Sequence, residues 1–116
     1  MPSTLNESEL PSWFAYPHQY LRLVEQGVVN LTPWHIIGGS EALSRLSGLQ
    51  NRYPGRDLVP FAVRQDNDLV ACWEKSAPER VFVIKDFASE GWESISDYNS
   101  FWDWFRRACE DMIDFG

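Results

Sequence analysis

The fold class of this chain is decided by one stretch, residues 58–86, which reads LVPFAVRQDNDLVACWEKSAPERVFVIKD. It holds three short apolar runs, at 59–63, 69–73 and 81–84, that are rich in β-branched and aromatic residues. The separators between them are rich in residues that tolerate tight turns and hydrogen-bond their own backbone. The stretch therefore predicts a meander of three consecutive β-strands. The third run, with four apolar residues in a row, is typical of an interior strand covered on both faces.

Helices are predicted on both sides of this meander. Pro17 at a first helical position and Gly27 as a C-terminal stop delimit the first helix. Ser40 is a candidate N-terminal cap for a second helix, which extends to about residue 52 and follows a short strand at 34–37. The last helix, at 100–114, is the strongest element because its apolar positions recur at helical spacing.

The last helix begins with a pair that resembles a capping box, Ser100 followed by Asp103. The segment before it, residues 87–98, is predicted to be a loop that contains Trp92. The order helix, strand, helix, three strands, helix predicts an α+β fold. We expect an antiparallel sheet with a central meander and helices packed mainly on one face.

Length and composition indicate one soluble domain. A chain of 116 residues can bury a single core without disulfides or metals. Residues 1–12 are polar and aperiodic and are predicted to be a mobile N-terminal arm, so the domain spans 13–116. The N-terminus lacks the features of a signal peptide, and no apolar run approaches the roughly 20 residues that cross a bilayer. Cys72 and Cys109 are expected to be free, buried thiols, and the predicted location is cytoplasmic.

The net charge of −7 is concentrated in the last quarter of the chain. Residues 86–116 hold eight acidic residues and only two basic ones, Arg106 and Arg107. A negative field repels phosphate backbones and anionic membranes and attracts cationic partners. The sequence therefore predicts no direct binding to nucleic acid or membrane, and it favours a basic protein partner.

Few residues in the chain suggest catalysis. The only histidines are His18 and His35, and a small enzyme that uses His35 as its base is one alternative. The segment 38–40, Gly-Gly-Ser, is a candidate phosphate cradle but is more typical of a strand-to-helix turn. Asp-Asn-Asp at 66–68 lacks the rest of a calcium loop and is typical of a turn. We predict no catalytic residue, cofactor or metal.

The predicted loop at 87–98 surrounds Trp92 with acidic residues, a composition that suits contact with a basic protein. Acidic residues of the last helix extend this candidate surface. The predicted partner-binding residues are Glu90, Trp92, Glu93, Asp97, Asp103 and Glu110. The alternative interpretation is a solvated loop with Trp92 folded over the edge of the sheet.

Five segments together resemble the SUKH superfamily, which includes bacterial toxin-immunity proteins and a fungal regulator of cell-wall synthesis. The matching segments lie at 16–21, 58–62, 69–71, 80–84 and 100–105. One departure is Asn67-Asp68, which stands where such proteins usually carry Gly-Asp. The resemblance implies an α+β domain that binds a protein and performs no reaction, with a toxin, commonly a nuclease, as its partner.

The leading hypothesis is therefore a cytoplasmic immunity protein that occludes a basic toxin domain through its acidic surface. The alternative from another class is a regulatory or scaffolding protein unconnected to toxins. Either function is compatible with a monomer or with a homodimer joined through exposed tryptophans.

Overall fold

The computed structural model describes residues 9–89 and 91–115. Helices and strands follow one another along this part of the chain in a fixed order. They are α1 (His18–Glu25), β1 (Asn30–Leu31), β2 (Trp34–Ile36), α2 (Gly39–Arg52), β3 (Leu58–Arg64), β4 (Leu69–Glu74), β5 (Ala77–Lys85), β6 (Ser94–Tyr98) and α3 (Phe101–Phe115).

The strands form a single antiparallel sheet in which β1 to β6 lie side by side in sequence order. The α+β prediction and the meander of β3, β4 and β5 are confirmed. Ala71 in the middle strand is opposite Ala62 on one side and Val83 on the other. In the turn between β3 and β4, the side-chain oxygen of Asn67 accepts a hydrogen bond of 3.0 Å from the backbone N–H of Leu69. This bond is the local turn chemistry that Asn favours.

Alternate side chains of the sheet enter two separate apolar clusters, as the period of two in a strand requires. On one face, residues such as Phe61, Trp73 and Val81 pack with buried residues of α1 and α3, among them Tyr20 and Phe101. On the other face, a smaller cluster covers the opposite side of β3, β4 and β5. Its buried members are Leu49, Tyr53, Leu58, Val70, Cys72 and Ile84. The apolar run of β5 therefore contributes to both clusters, but the expected cover on both faces is incomplete, because Phe82 is only half-buried.

Helix α2 belongs to both clusters. Ala42 and Leu46 pack in the first cluster, whereas Leu49 and the following Tyr53 pack in the second. The end of α2 consequently lies on the face of the sheet opposite to α1 and α3. This position brings the last turn of α2 next to the end of β5, where the candidate surface begins.

The ends of the helices match the predicted signals only in part. Gly27, with φ of 76°, follows the end of α1 as predicted. The backbone N–H of Asp103 donates to Ser100 Oγ at 3.2 Å, which confirms the serine half of the expected cap on α3. Ser40 does not cap α2, because the helix starts at Gly39 with Gly38 at its N-cap. Pro17 is the N-cap of α1 and not its first helical residue.

The prediction of a loop over 87–98 is wrong in its second half. Residues Ser94–Tyr98 form β6, which pairs with β5 in a register that places Phe82 opposite Asp97. Strand β6 is the edge of the sheet, and its side chains are exposed apart from the half-buried Tyr98. A strand with no buried face leaves no alternating apolar pattern in the sequence, so it was not predicted.

The predicted N-terminal arm falls partly on residues 1–8, which lie outside the described residues. Leu10, Trp13 and Phe14 are half-buried and pack against the first cluster, with the Phe14 ring 5.2 Å from that of Trp73. Three residues that fall in or next to the predicted arm therefore contact the core.

The two cysteines are both free and lie in different clusters. Cys72 is buried on the second face, and burial raises the pKa of its thiol well above the ordinary value. Cys109 is partly buried against the first cluster. Within the described part of the chain, no helix is both long enough and apolar enough to span a bilayer.

Candidate protein-contact surface

The candidate surface is built on the β5–β6 loop, described at residues 86–89 and 91–93, and its first anchor is Asp86. This carboxylate is fully buried, and guanidinium groups from α2 bind both of its oxygens. Arg45 Nη1 donates to Oδ2 at 2.6 Å, and Arg52 Nη2 donates to Oδ1. Arg52 Nε also donates to the carbonyl oxygen of Asp86 at 2.9 Å. Since a buried carboxylate needs such partners, these bonds fix where the loop leaves the sheet.

Tyr53 holds the backbone of the same turn. Its hydroxyl lies 2.9 Å from the carbonyl oxygens of Lys85 and Asp86 and 3.0 Å from that of Ala88. Burial raises the pKa of the Tyr53 hydroxyl, so it remains a protonated donor at neutral pH. Three carbonyl oxygens at the start of the loop therefore lie within hydrogen-bond distance of the Tyr53 hydroxyl, just after the end of α2.

The second anchor is Glu93, at the far end of the loop. Glu93 is buried, accepts a hydrogen bond from Arg56 Nη1 at 3.0 Å through Oε2, and accepts one from the backbone N–H of Gly91 at 2.7 Å through Oε1. Arg56 also donates twice to Glu74, at 2.8 Å each. Burial alone would raise the pKa of the Glu93 carboxyl, but the hydrogen bonds it accepts hold that pKa below its usual range. Glu93 is thus an ionised internal anchor.

Trp92 projects between the two anchors and is 80% exposed. Its backbone N–H donates to the carbonyl oxygen of Ser89 at 2.9 Å, and the preceding Gly91 takes a positive φ of 93° that a residue with a side chain rarely adopts. The indole therefore does not cover the sheet edge, which was the alternative interpretation of this loop. The exposed indole is a large apolar group. The loop that carries it is held at Asp86 on one side and at Glu93 on the other.

The structure separates the six predicted contact residues into different environments. Glu90 lies outside the described residues, and Glu93 points inward to Arg56 and does not face solvent. Asp97 is exposed on β6 and forms an ion pair with Arg80. Asp103 pairs with Arg106 at 3.2 Å on α3, and Glu110 is exposed farther along that helix. Trp92 and Asp97 share the β5–β6 hairpin, whereas the two acids of α3 belong to a neighbouring element.

Two apolar residues of the same hairpin were not predicted to be accessible. Phe87 follows Asp86 directly and is exposed, and Ile95 is exposed on β6. Ile95, Phe82 and Asp97, together with Ser94 and Ser96, line a shallow depression of about 210 Å³ beside the sheet edge. The sequence signal for Ile95 is an isolated apolar residue between two serines, a pattern that indicates exposure when the segment is a strand.

The other candidate sites from the sequence have local structural partners. His35 is half-buried on β2, and its Nε2 lies within hydrogen-bond distance of the Gln65 side chain. Asp66 binds Arg64 at 2.7 Å in the turn after β3. Gly38 and Gly39 form the start of α2, as the strand-to-helix interpretation predicted. The residues described contain no group of three or more His, Cys, Asp and Glu placed to hold a metal ion.

The resemblance to the SUKH superfamily remains a prediction from the five sequence segments. Comparisons with protein-family models, with curated proteins and with solved structures each found no match.

Proposed function

We propose that this chain is a protein-binding domain of the SUKH type and acts as an immunity protein that neutralises a basic toxin domain. The observation that carries the proposal is the 80% exposure of Trp92. Burying a large aromatic ring removes much apolar area from water, and tryptophan is strongly enriched among the residues that dominate binding energy at protein interfaces. An indole held out from the hairpin is a suitable anchor for such a contact.

The two anchors of the loop support this role. Binding costs free energy when a flexible loop must be ordered at the interface. Here Asp86 is fixed by two arginines, and Glu93 is fixed by Arg56 and by the backbone of Gly91. Because much of the order exists before a partner arrives, more of the energy from burying Trp92 remains available for affinity.

The charge of the chain supports a basic partner. The net charge is −7, and Asp97, Asp103 and Glu110 lie on the hairpin and on α3, which packs against β5 and β6. Asp97 and Asp103 each have an arginine neighbour, so they act on a partner mainly through the summed field. A field of this sign accelerates encounter with a cationic surface, such as the substrate cleft of a nuclease.

The proposal predicts that Trp92→Ala weakens binding to the basic toxin domain encoded beside this chain. We expect a loss of about thirtyfold or more, equivalent to about 2 kcal/mol, because the anchor ring is removed. Isothermal titration calorimetry with the purified toxin domain measures this loss. Thermal unfolding of the variant should match that of the original chain, since the ring makes no core contact.

Ile113→Ala is the matched control for this experiment. Ile113 is 75% exposed near the end of α3, so the variant removes an equally accessible apolar group away from the hairpin. Its affinity for the toxin domain should stay within about twofold of the original. Equal affinity of the Trp92→Ala variant and the original chain would contradict the proposed contact. If a basic neighbour does not bind at all, the regulatory or scaffolding alternative is favoured.

A further inference from the structure

A second surface feature lies where the end of α2 meets the start of the β5–β6 loop. It is a pocket of about 400 Å³ between the helix and the loop. Its lining residues are Ser44, Arg45, Gly48, Arg52, Asp86 and Phe87. None of the predicted contact residues lines this pocket, and the proposed function uses its Asp86 and two arginines only as an anchor of the loop.

The pocket has a surplus of positive charge. Two guanidinium groups, from Arg45 and Arg52, share the single carboxylate of Asp86. No other ion-pair cluster among the described residues contains more cations than carboxylates. Those clusters are Arg56 with Glu74 and Glu93, Arg80 with Asp97, Arg106 with Asp103, and Arg64 and Arg107 with Asp66 and Asp111. Among the ion-pair clusters of the described residues, this is therefore the one that carries a net positive charge, in a chain whose net charge is −7.

Both guanidinium groups keep unused hydrogen-bond donors. Arg45 donates to Asp86 through Nη1 alone, and Arg52 donates through Nε and Nη2. Within the described part of the chain, Arg45 Nε and Nη2 and Arg52 Nη1 make no hydrogen bond. The two side chains are 33% and 31% exposed, so these donors can reach a ligand in the pocket. Paired N–H donors of this geometry match the oxygens of a carboxylate or a phosphate.

The guanidinium of Arg52 lies close to both Gly48 and Phe87. A Cβ atom at position 48 would lie 2.7 Å from Arg52 Nη2 and 3.1 Å from Nη1, so only glycine lets the guanidinium lie this close to the helix. The ring centroid of Phe87 is 4.4 Å from Arg52 Cζ, within the range of a cation–π contact. Glycine in the interior of a helix lowers stability relative to alanine. At position 48, it leaves room for the Arg52 guanidinium.

We propose that Arg45, Arg52 and Phe87 form a binding site for an oxyanion, either a phosphate group or a carboxylate. Asp86 orients both arginines from below and neutralises only one of them. The ligand places one oxygen at each guanidinium, above the buried carboxylate. The exposed ring of Phe87 forms the apolar wall beside the ligand.

The site is tested by following the Nε–Hε resonances of the arginines by NMR while the full chain is titrated. The two probes are inorganic phosphate and N-acetylglutamate α-amide, whose side-chain carboxylate is free. Each is compared with sodium chloride at the same ionic strength. We expect saturable shifts of the Arg45 and Arg52 signals beyond those caused by chloride. Saturation by phosphate alone indicates a phosphoryl ligand, and saturation by the carboxylate alone indicates an acidic side chain. Saturation by both also supports the site.

Two variants that should remain folded make this test specific. Arg45→Gln leaves Arg52 bound to Asp86 and is expected to weaken probe binding about tenfold, because one of two cationic donors is lost. Gly48→Ala displaces the flexible end of Arg52 and should weaken binding similarly without unfolding α2. Arg80→Gln is the matched control and should leave the titration unchanged. Shifts no larger than those with chloride, or saturable shifts unaffected by Arg45→Gln and Gly48→Ala, would overturn the proposal.

Discussion

Replacing Trp73 with alanine is expected to lower the free energy of unfolding by about 3–5 kcal/mol, the range for removing a large aromatic side chain from a core. The side chain is fully buried in β4. Its ring stacks on that of Phe61, with 4.4 Å between the ring centroids. The centroids of the Tyr20 ring in α1 and of the Phe14 ring lie 5.1 Å and 5.2 Å away. Trp73 therefore joins the sheet, the first helix and the N-terminal segment, and its loss leaves a cavity bordered by all three.

Urea-induced unfolding followed by circular dichroism measures this change. Trp92→Ala is the matched control, because it removes the same side chain from a position that is 80% exposed, and it should alter stability by no more than about 0.5 kcal/mol. A loss of less than about 1 kcal/mol for Trp73→Ala would show that the aromatic cluster is not packed as described.

Replacing Asp86 with asparagine is expected to lower the free energy of unfolding by about 2–3 kcal/mol. The variant keeps the shape of the side chain but removes the charge that holds Arg45 and Arg52. Breaking a fully buried ion pair costs more, but here the arginines are about one-third exposed and regain some hydration. We also expect faster amide exchange across residues 86–93, because the first anchor of the loop is weakened.

Asp97→Asn is the control for this second prediction. Asp97 forms a comparable ion pair with Arg80 but is exposed on the edge strand. Exposed ion pairs contribute little, so this variant should change stability by less than about 0.5 kcal/mol. If the two variants lose the same stability, the buried position of Asp86 is not what makes its ion pairs important.

The meander and α3 were predictable because burial leaves a pattern in the sequence. Val81 and Val83 enter one cluster while Ile84 enters the other, so a strand that contributes to both clusters reads as an unbroken apolar run. The apolar residues of α3 recur at helical spacing because one side of the helix covers the sheet. In both cases the element is specified by the surface it buries.

Strand β6 was not predictable for the opposite reason. Its side chains bury almost nothing, and the strand exists because its backbone pairs with β5. The cap of α2 was also missed, since Gly38 at the N-cap makes no side-chain hydrogen bond that would mark the position. Elements held by the backbone alone leave a weak signal in side-chain types.

The candidate site was predictable in composition but not in orientation. The sequence places Trp92 beside Glu93, and both were expected to face a partner. The structure exposes the indole and turns the carboxylate inward, because Arg56 reaches Glu93 across 37 positions of sequence. The pairing of Arg45 with Asp86 spans 41 positions. Contacts between such distant residues depend on the folded sheet and cannot be inferred from local spacing.

Under the proposed function, the β5–β6 hairpin, with Trp92 in its loop, is the surface that contacts a protein partner. Amide hydrogen exchange of the full chain, measured free and in complex with the proposed partner, a basic toxin domain, locates this contact along the sequence. Binding is expected to slow exchange across residues 86–98 and to leave the end of α3 around Ile113 unchanged. Protection confined to α1 or to the end of α3, with exchange in the hairpin unaltered, would contradict it.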